Sequence, residues 1–271
     1  FAHGEPQSSA FGPARNPWDL TRSPGTSSTG SGAATAARLC ATSLGEDTGG
    51  SIRGPAAFCG LVGLRPTWGR VSRYGVDGAG WSFDTIGPIS RTVEDCAITI
   101  GGIAGHDPQD PSTRQVPVPD YQAALTGDIK GLKVGVVQEL MDPQELDLDP
   151  TMRQSVLNAI EVLAELGADV RQVSMPLAEK TGYITRAITH VERVSLRPEY
   201  LRERPDDYHY NTKVHFTTAN LIPAQVYYKA QKLRTMVREQ VLGLLEEVDI
   251  LIQPTSGAPA NIINPDQKVD S

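Results

Sequence analysis

Two glycine-rich stretches carry the residues best suited to chemistry. The first is Pro24-Gly25-Thr26-Ser27-Ser28-Thr29-Gly30-Ser31-Gly32, and the second is Gly45-Glu46-Asp47-Thr48-Gly49-Gly50-Ser51-Ile52-Arg53. A serine hydroxyl is a weak nucleophile and needs a base within hydrogen-bond reach. Acyl transfer also needs donors aimed at the developing oxyanion, and backbone amides in a glycine-rich turn can supply them. Thr48, Gly49, Gly50 and Ser51 offer consecutive amides beside a hydroxyl. Asp47 and Arg53 flank the turn with opposite charge and can pair to fix it. Taken by itself, the segment reads first as a tight turn whose serine caps a helix.

Competing chemistries fail on spacing. A phosphate-cradling loop needs Gly-x-x-x-x-Gly-Lys-Ser/Thr, and neither stretch contains the lysine. The Gly-x-Ser-x-Gly nucleophile elbow is absent, because Ile52-Arg53 follows Ser51. The five histidines (His3, His106, His190, His209, His215) are not excluded as a base by spacing, but none has a telling context, and each reads as a surface or satisfied residue. Cys40, Cys59 and Cys96 lack metal-ligand spacing and cannot all pair within one chain, so reduced, mostly buried thiols in a cytoplasmic protein are expected. The formal net charge of -7 argues against a general nucleic-acid or membrane-surface binder. No run approaches the roughly 18 apolar residues of a membrane span.

The elements that must position these residues are partly readable. Residues 1–33 are loop-like in composition, and the small residues from Ala33 to Ala41 predict an internal helix. Residues 45–51 read as a second turn, ahead of the apolar Phe58–Leu64. Thr92-Val93-Glu94-Asp95 has the form of a capping box, with Val93, Ala97, Ile100 and Ala104 at helical spacing and Gly105 as a stop. Residues 106–120 make a polar, proline-rich connection. Leu132–Val137 and Asp169–Val173 read as strands around an amphipathic helix over 151–166, closed by Gly167. Strand, helix, strand in that order is the βαβ pattern of an α/β sheet. A long helix over about 223–247 aligns Val226, Ala230, Leu233, Val237, Val241 and Leu244, and Asp249–Pro254 reads as a strand entering a loop. Residues 205–215 show no readable pattern.

At this point the sequence resembles the amidase signature family. The resemblance is carried by Pro24–Ala37, Gly45–Arg53, Pro55–Ser72, Asp84–Asp95 and Ala104–Pro108, with Ser9–Gly12 and Arg15–Asp19 upstream. These motifs stand in order over about a hundred residues. Beyond residue 130 the likeness is looser, resting on the strand-helix-strand order, Tyr228–Arg234 and the strand from Asp249 to Thr255.

The resemblance implies an α/β fold with a mixed central sheet flanked by helices. It is expected as one catalytic domain over residues 1–271, partial at both ends, since the chain starts at Phe1 and stops soon after its last strand. It implies a Ser-Ser-Lys triad in which Ser51 attacks the carbonyl and Ser27 relays the proton, through a cis peptide bond that aims its hydroxyl. A lysine upstream of the first serine is the ultimate base. This chain has no lysine before Lys130, so none is assigned, and residues 1–271 alone are expected to hydrolyse amides negligibly. The family's oxyanion donors map to the backbone of Thr48, Gly49, Gly50 and Ser51, with Ser28, Asp47 and Arg53 in support. Thr26 and Thr29 replace glycines of the usual Gly-Gly-Ser-Ser-Gly-Gly-Ser.

The resulting expectation is an amide hydrolase acting on a small-molecule carboxamide through an acyl-serine. No cofactor, metal, membrane or direct nucleic-acid partner is implied. The alternative is the glutaminase subunit of a tRNA-dependent amidotransferase, and a third reading is a non-catalytic homologue. Ala219–Gln225 looks more like stand-alone members, whereas Arg234 follows a helix motif that leads to a substrate-binding arginine in glutaminase subunits.

Overall fold

The computed structural model describes residues 11–142, 148–196 and 198–264; His3, Ser9 and Ala10 of the sequence reading lie outside them. In chain order the elements are α1 (Thr29–Ala36), β1 (Thr42–Asp47), α2 (Arg53–Phe58), β2 (Val62–Gly63), β3 (Thr85–Ser90), α3 (Val93–Ile103), β4 (Lys133–Val137), α4 (Pro150–Glu165), β5 (Asp169–Val173), α5 (Thr181–Leu196), α6 (Pro198–Glu203), α7 (Tyr210–Ala219), α8 (Ala224–Leu245) and β6 (Ile250–Ile252). The chain divides into two compact units. One comprises Phe1–Leu125, Thr189–Ile222 and Ala260–Ser271; the other comprises Thr126–Ile188 and Pro223–Pro259.

The α/β character is as expected. Among the described residues the strands lie in two three-stranded sheets, ordered β1-β3-β2 and β5-β4-β6. The first is antiparallel and the second parallel, so the mixed pairing is spread over two sheets. Among the described residues no strand lies between β3 and β4 to join them.

In the first unit β3 is buried at every position and sits between β1 and β2. Its pairing with β1 runs from Thr42↔Ser90 to Asp47↔Thr85. Ile86 and Ile89 fall on opposite faces of the strand because side chains alternate. Ile89 packs with Ile52 and Ala56, while Ile86 packs with Val71 and Ile100. Ile52 and Ile89 are each 0% exposed. Burying a side chain of that size contributes roughly 1.5–3 kcal/mol.

The small-residue helix α1 begins ahead of Ala33 and stops at Ala36. A Cβ on Gly32 would stand 3.1 Å from the Pro55 Cβ, which shows how closely α1 approaches α2. The expected turn over 45–51 is shorter, because Gly45, Glu46 and Asp47 complete β1. Of the capping box expected at α3, the N-cap bond is present, with Thr92 Oγ1 accepting from the Asp95 amide at 3.0 Å. Its buried stripe is Cys96, Ala97 and Ile100, whereas Val93 is 57% exposed on the first turn.

The second unit is the expected βαβ arrangement, with β4 and β5 parallel around α4. Asp149 caps α4 through the Thr151 and Met152 amides at 2.8 and 3.2 Å, and Pro150 occupies its first turn. Val137, Val173, Met175, Ala178 and Val248 form its core, against which Val241 and Leu244 of α8 pack. Of the apolar line predicted along α8, Ala230 is buried and Val226 is exposed. Arg234 lies on this helix.

Candidate active site

The site is built on the turn between β1 and α2, in the first unit. Asp47 ends β1 with its side chain at 0% exposure, and its carboxylate organises the turn leading into α2. Its Oδ1 accepts from the Gly50 amide at 2.8 Å, and its Oδ2 accepts from the Ile52 and Arg53 amides at 3.2 and 3.4 Å. Arg53 closes a two-pronged pair through Nε and Nη2, each at 3.0 Å, and Arg65 Nε lies 3.3 Å from Oδ1. The pairing of Asp47 with Arg53 expected from their charges is therefore present. Burial alone would raise the Asp47 pKa. The hydrogen bonds and charge of Arg53 and the Gly50 and Ile52 amides outweigh it, and the carboxyl sits below its ordinary value. Ile52, locked in the core, anchors the far end of the turn. Gly50 has φ +123°, a conformation that side-chain-bearing residues rarely adopt.

The Gly50 amide is thus already engaged by Asp47. Of the four amides expected to receive an oxyanion, Thr48, Gly49 and Ser51 are the ones not assigned to that carboxylate.

The first glycine-rich stretch lies against this turn. The Ser28 amide donates to the Ser51 carbonyl at 3.3 Å. The Thr26–Ser27 peptide bond is cis. Ser28 is 5% exposed, and its hydroxyl has no hydrogen-bond partner among the described residues. A Cβ on Gly45 would lie 2.6 Å from that hydroxyl oxygen, so Ser28 supports the loop by packing and through its amide. Gly25, at φ +87°, allows the chain to pass Pro55, whose Cα would lie 2.7 Å from an added Cβ.

Ser27 and Ser51 line the same cavity, of about 260 Å³, with Thr26 and Thr48 beside them. Further lining comes from Arg193 on α5 and from Asn211, His215 and Phe216 on α7. None of these four was singled out from sequence as a site residue. His215 Nε2 lies 2.9 Å from His190 Nε2, a pairing across two helices that linear spacing does not reveal. By contrast His106 is satisfied by Thr113 at 3.1 Å, as expected for a structural histidine.

A buried acid pair lies next to the turn. Asp84 is 1% exposed and accepts from the Thr48 hydroxyl at 2.7 Å and from the Ala79 and Gly80 amides at 2.8 Å. It thereby ties the loop carrying Ala79 to the residue that begins the Ser51 turn. Glu46 is 3% exposed, and burial, followed by the charge of Asp84, pushes its pKa up to about 8. Ser82 holds this loop to α5 by donating its hydroxyl and amide to Glu192 at 2.6 and 3.0 Å. Burial also pushes the thiol of Cys59 up to about 11. Such a thiol is a poor nucleophile. Among the described residues no cluster of His, Cys, Asp or Glu is placed to hold a metal ion, and no helix is long and apolar enough to cross a membrane.

The class of protein that this fold and serine-bearing turn define is that of the amidase-signature enzymes. The family model described as Amidase matches residues 2–271, and the chain belongs to that family. It is 43% identical over 285 residues to the A subunit of glutamyl-tRNA(Gln) amidotransferase from Gloeobacter violaceus, an alignment covering 96% of this chain and 58% of that relative. A solved structure described as a vestigial protein complex, revealing the origins of an s-triazine catabolic enzyme, superposes with a TM-score of 0.89 at 36% identity over 96% of this chain and 55% of that one. The corresponding glutamyl-tRNA(Gln) amidotransferase chain of Thermotoga maritima superposes with a TM-score of 0.82 at 35% identity, over 94% and 55%. The chain thus spans somewhat more than half the length of the proteins it matches.

Proposed function

We propose that the whole protein cleaves the C–N bond of a small carboxamide by acylating Ser51. The observation that carries this reading is the shared cavity wall of Ser27 and Ser51, at a turn fastened by Asp47. In this reading the Ser51 Oγ attacks the carbonyl carbon and its proton passes to Ser27. From there it goes to the base, which by family resemblance is a lysine upstream of this stretch. The amides of Thr48, Gly49 and Ser51 receive the oxyanion. The nitrogen leaves with a proton, and water then attacks the acyl-serine to release the acid. Asp47, Arg53 and Arg65 hold the turn, and Ser28 packs behind it.

Two finer readings differ in where the nitrogen goes. A stand-alone amide hydrolase releases it to solvent. A glutaminase subunit passes ammonia to a partner chain, and the 43% identity to one chain of a glutamyl-tRNA(Gln) amidotransferase favours this second reading over the first. Three unpaired thiols suit a reducing, cytoplasmic setting for either. The test is ammonia release from a panel of carboxamides by the full-length protein, alone and with its neighbouring gene products. Turnover of glutamine that rises on adding a partner supports the glutaminase reading. Turnover of simple amides that no partner alters supports the stand-alone one.

A further inference from the structure

Glu46, Thr48 and Asp84 meet where the β1–β3 pair runs into the Ser51 turn. Side chains alternate along a strand, so Glu46 and Thr48, two residues apart, project to the same side. Antiparallel pairing sets Glu46 opposite Ile86 and Asp47 opposite Thr85, which brings Asp84, the residue before Thr85, beside Thr48. The 2.7 Å bond from the Thr48 hydroxyl to Asp84 Oδ1 fits that placement. Both acids are withdrawn from water, Glu46 to 3% exposure and Asp84 to 1%.

Two carboxyl groups buried side by side cannot both ionise. Their hydrogen bonds decide which keeps the charge. Asp84 accepts from the Thr48 hydroxyl and from the Ala79 and Gly80 amides, whereas Glu46 Oε1 has no partner among the described residues. Glu46 therefore carries the proton and donates it to Asp84. Burial, followed by the Asp84 charge, raises its pKa to about 8, and the Ala79 amide, shared with Asp84, opposes this. The surrounding charges are committed elsewhere or shared. Arg193 acts on both acids. Asp47 is taken by Arg53 and Arg65. Arg73, Tyr74 and Asp110 border a second cavity, of about 220 Å³, that both acids also line. There Arg73 donates to the Trp81 carbonyl at 2.7 Å and the Ser112 hydroxyl at 3.2 Å, and Asp110 accepts from the Arg73 amide at 2.7 Å.

We propose that Glu46 is a positioning residue for the Ser51 turn: its proton bonds it to Asp84, which in turn holds Thr48 and the Ala79 loop at the serine cavity. Thr48 and Ala79 both line that cavity. The Thr48 amide is one of the oxyanion donors in the reading of Ser51 as the acylated residue, and the inference rests on that reading. When the proton leaves to solvent, a second buried charge repels Asp84 and loosens its hold on Thr48. The added negative potential also opposes the oxyanion developing at the neighbouring amides. Packing leaves little room to absorb the shift. A Cβ on Gly80 would stand 2.9 Å from Thr48 Cγ2, and one on Gly78 would stand 3.0 Å from Asp84 Oδ2. Acylation should therefore weaken on the alkaline side, where a lysine base by itself would only gain.

The test is the second-order rate at which a fluorophosphonate labels Ser51 in the full-length protein, followed from about pH 6 to pH 10. In wild type the rate should fall above about pH 8, approaching about tenfold per pH unit for a single proton. Glu46→Gln, which stays neutral, should remove that fall. Asp84→Asn takes away the charge that helps Glu46 keep its proton, so it should move the fall to lower pH. It keeps the proposal testable if the glutamine variant does not fold. Hydrogen exchange of the peptide spanning 46–53, corrected for the intrinsic effect of pH, reads the turn without any chemistry. Protection should drop over the same range in wild type and not in Glu46→Gln. That drop, in a protein whose Ser51 takes no label at any pH, would uphold the positioning of the turn by Glu46 and overturn the acyl-serine reading. An alkaline fall that is identical in wild type and Glu46→Gln would overturn the role of Glu46 and leave Ser51 standing. No alkaline fall, together with unchanged protection, would overturn the proposal outright.

Discussion

Replacing Asp47 by asparagine should be among the most damaging single changes near the site. The carboxylate is fully buried and receives three backbone amides and two guanidinium groups. Asparagine keeps the shape but removes the charge, leaving Arg53 and Arg65 without their anion. Breaking a buried ion pair from one side typically costs about 3–5 kcal/mol. The side chains of Arg53 and Arg65 are 44% and 28% exposed, so water recovers part of that loss. We therefore expect about 3 kcal/mol, the lower end of the range. Arg53→Met removes the more exposed partner and leaves Arg65 and the amides in place, so it should cost about half as much. The assay is urea unfolding followed by tryptophan fluorescence, because Trp18, Trp68 and Trp81 all belong to the first unit. The sign with pH follows from the depressed carboxyl. Its contribution is fully present above the ordinary aspartate range and is lost as pH falls below about 4 through the lowered value. The Asp47→Asn protein should lack that acid sensitivity. A variant within about 0.5 kcal/mol of wild type at pH 7 would refute the view that this carboxylate holds the turn.

Other perturbations separate backbone conformation from space, and burial from charge. Gly50→Ala meets no atom within 4 Å but forces a side chain onto φ +123°, so it should cost about 1–3 kcal/mol and slow acylation of Ser51. Gly25→Ala adds a 2.7 Å approach to the Pro55 backbone to its own positive φ, so it should lose more stability than Gly50→Ala in the same denaturant series. Glu46→Gln should flatten the pH dependence of stability. In wild type the folded state keeps a proton up to about pH 8 that the unfolded chain releases near 4.3, so stability falls as pH rises between those values, by at most about 1.4 kcal/mol per unit. An equally steep slope in the glutamine variant would show that Glu46 is not the group responsible.

The parts of the fold that sequence made legible are those with an apolar period and a clear stop. The strands at 133–137 and 169–173, the helix between them and the Thr92 cap belong here, the two helices being opened by the capping side chains of Asp149 and Thr92. β1 escaped because Glu46 and Asp47, the residues that complete it, are acids, and acids are rarely buried unless something holds them. Arg53 was legible as a partner of Asp47, but its second guanidinium, Arg65, and the neighbourhood of Asp84 beside Glu46 are more distant in sequence. β3 was read only as a motif, since a strand buried on both faces shows no alternation. α7 escaped because its polar residues Asn211 and His215 face the cavity and break the amphipathic pattern. The glycine-rich stretches and their serines were legible from residue type. Arg193 and His215 were not, because helices far along the chain deliver them to the cavity.

The roles proposed for the two serines are covalent bond formation at Ser51 and proton transfer at Ser27. The measurement that tests them most directly is peptide mass spectrometry of the full-length protein after fluorophosphonate labelling, in wild type, Ser27→Ala and Ser51→Ala. The added mass is expected on the Ser51 peptide, with none in Ser51→Ala. In Ser27→Ala the same site should be labelled about 10² to 10⁴-fold more slowly. Label on Ser27, or undiminished labelling in Ser51→Ala, would contradict these roles.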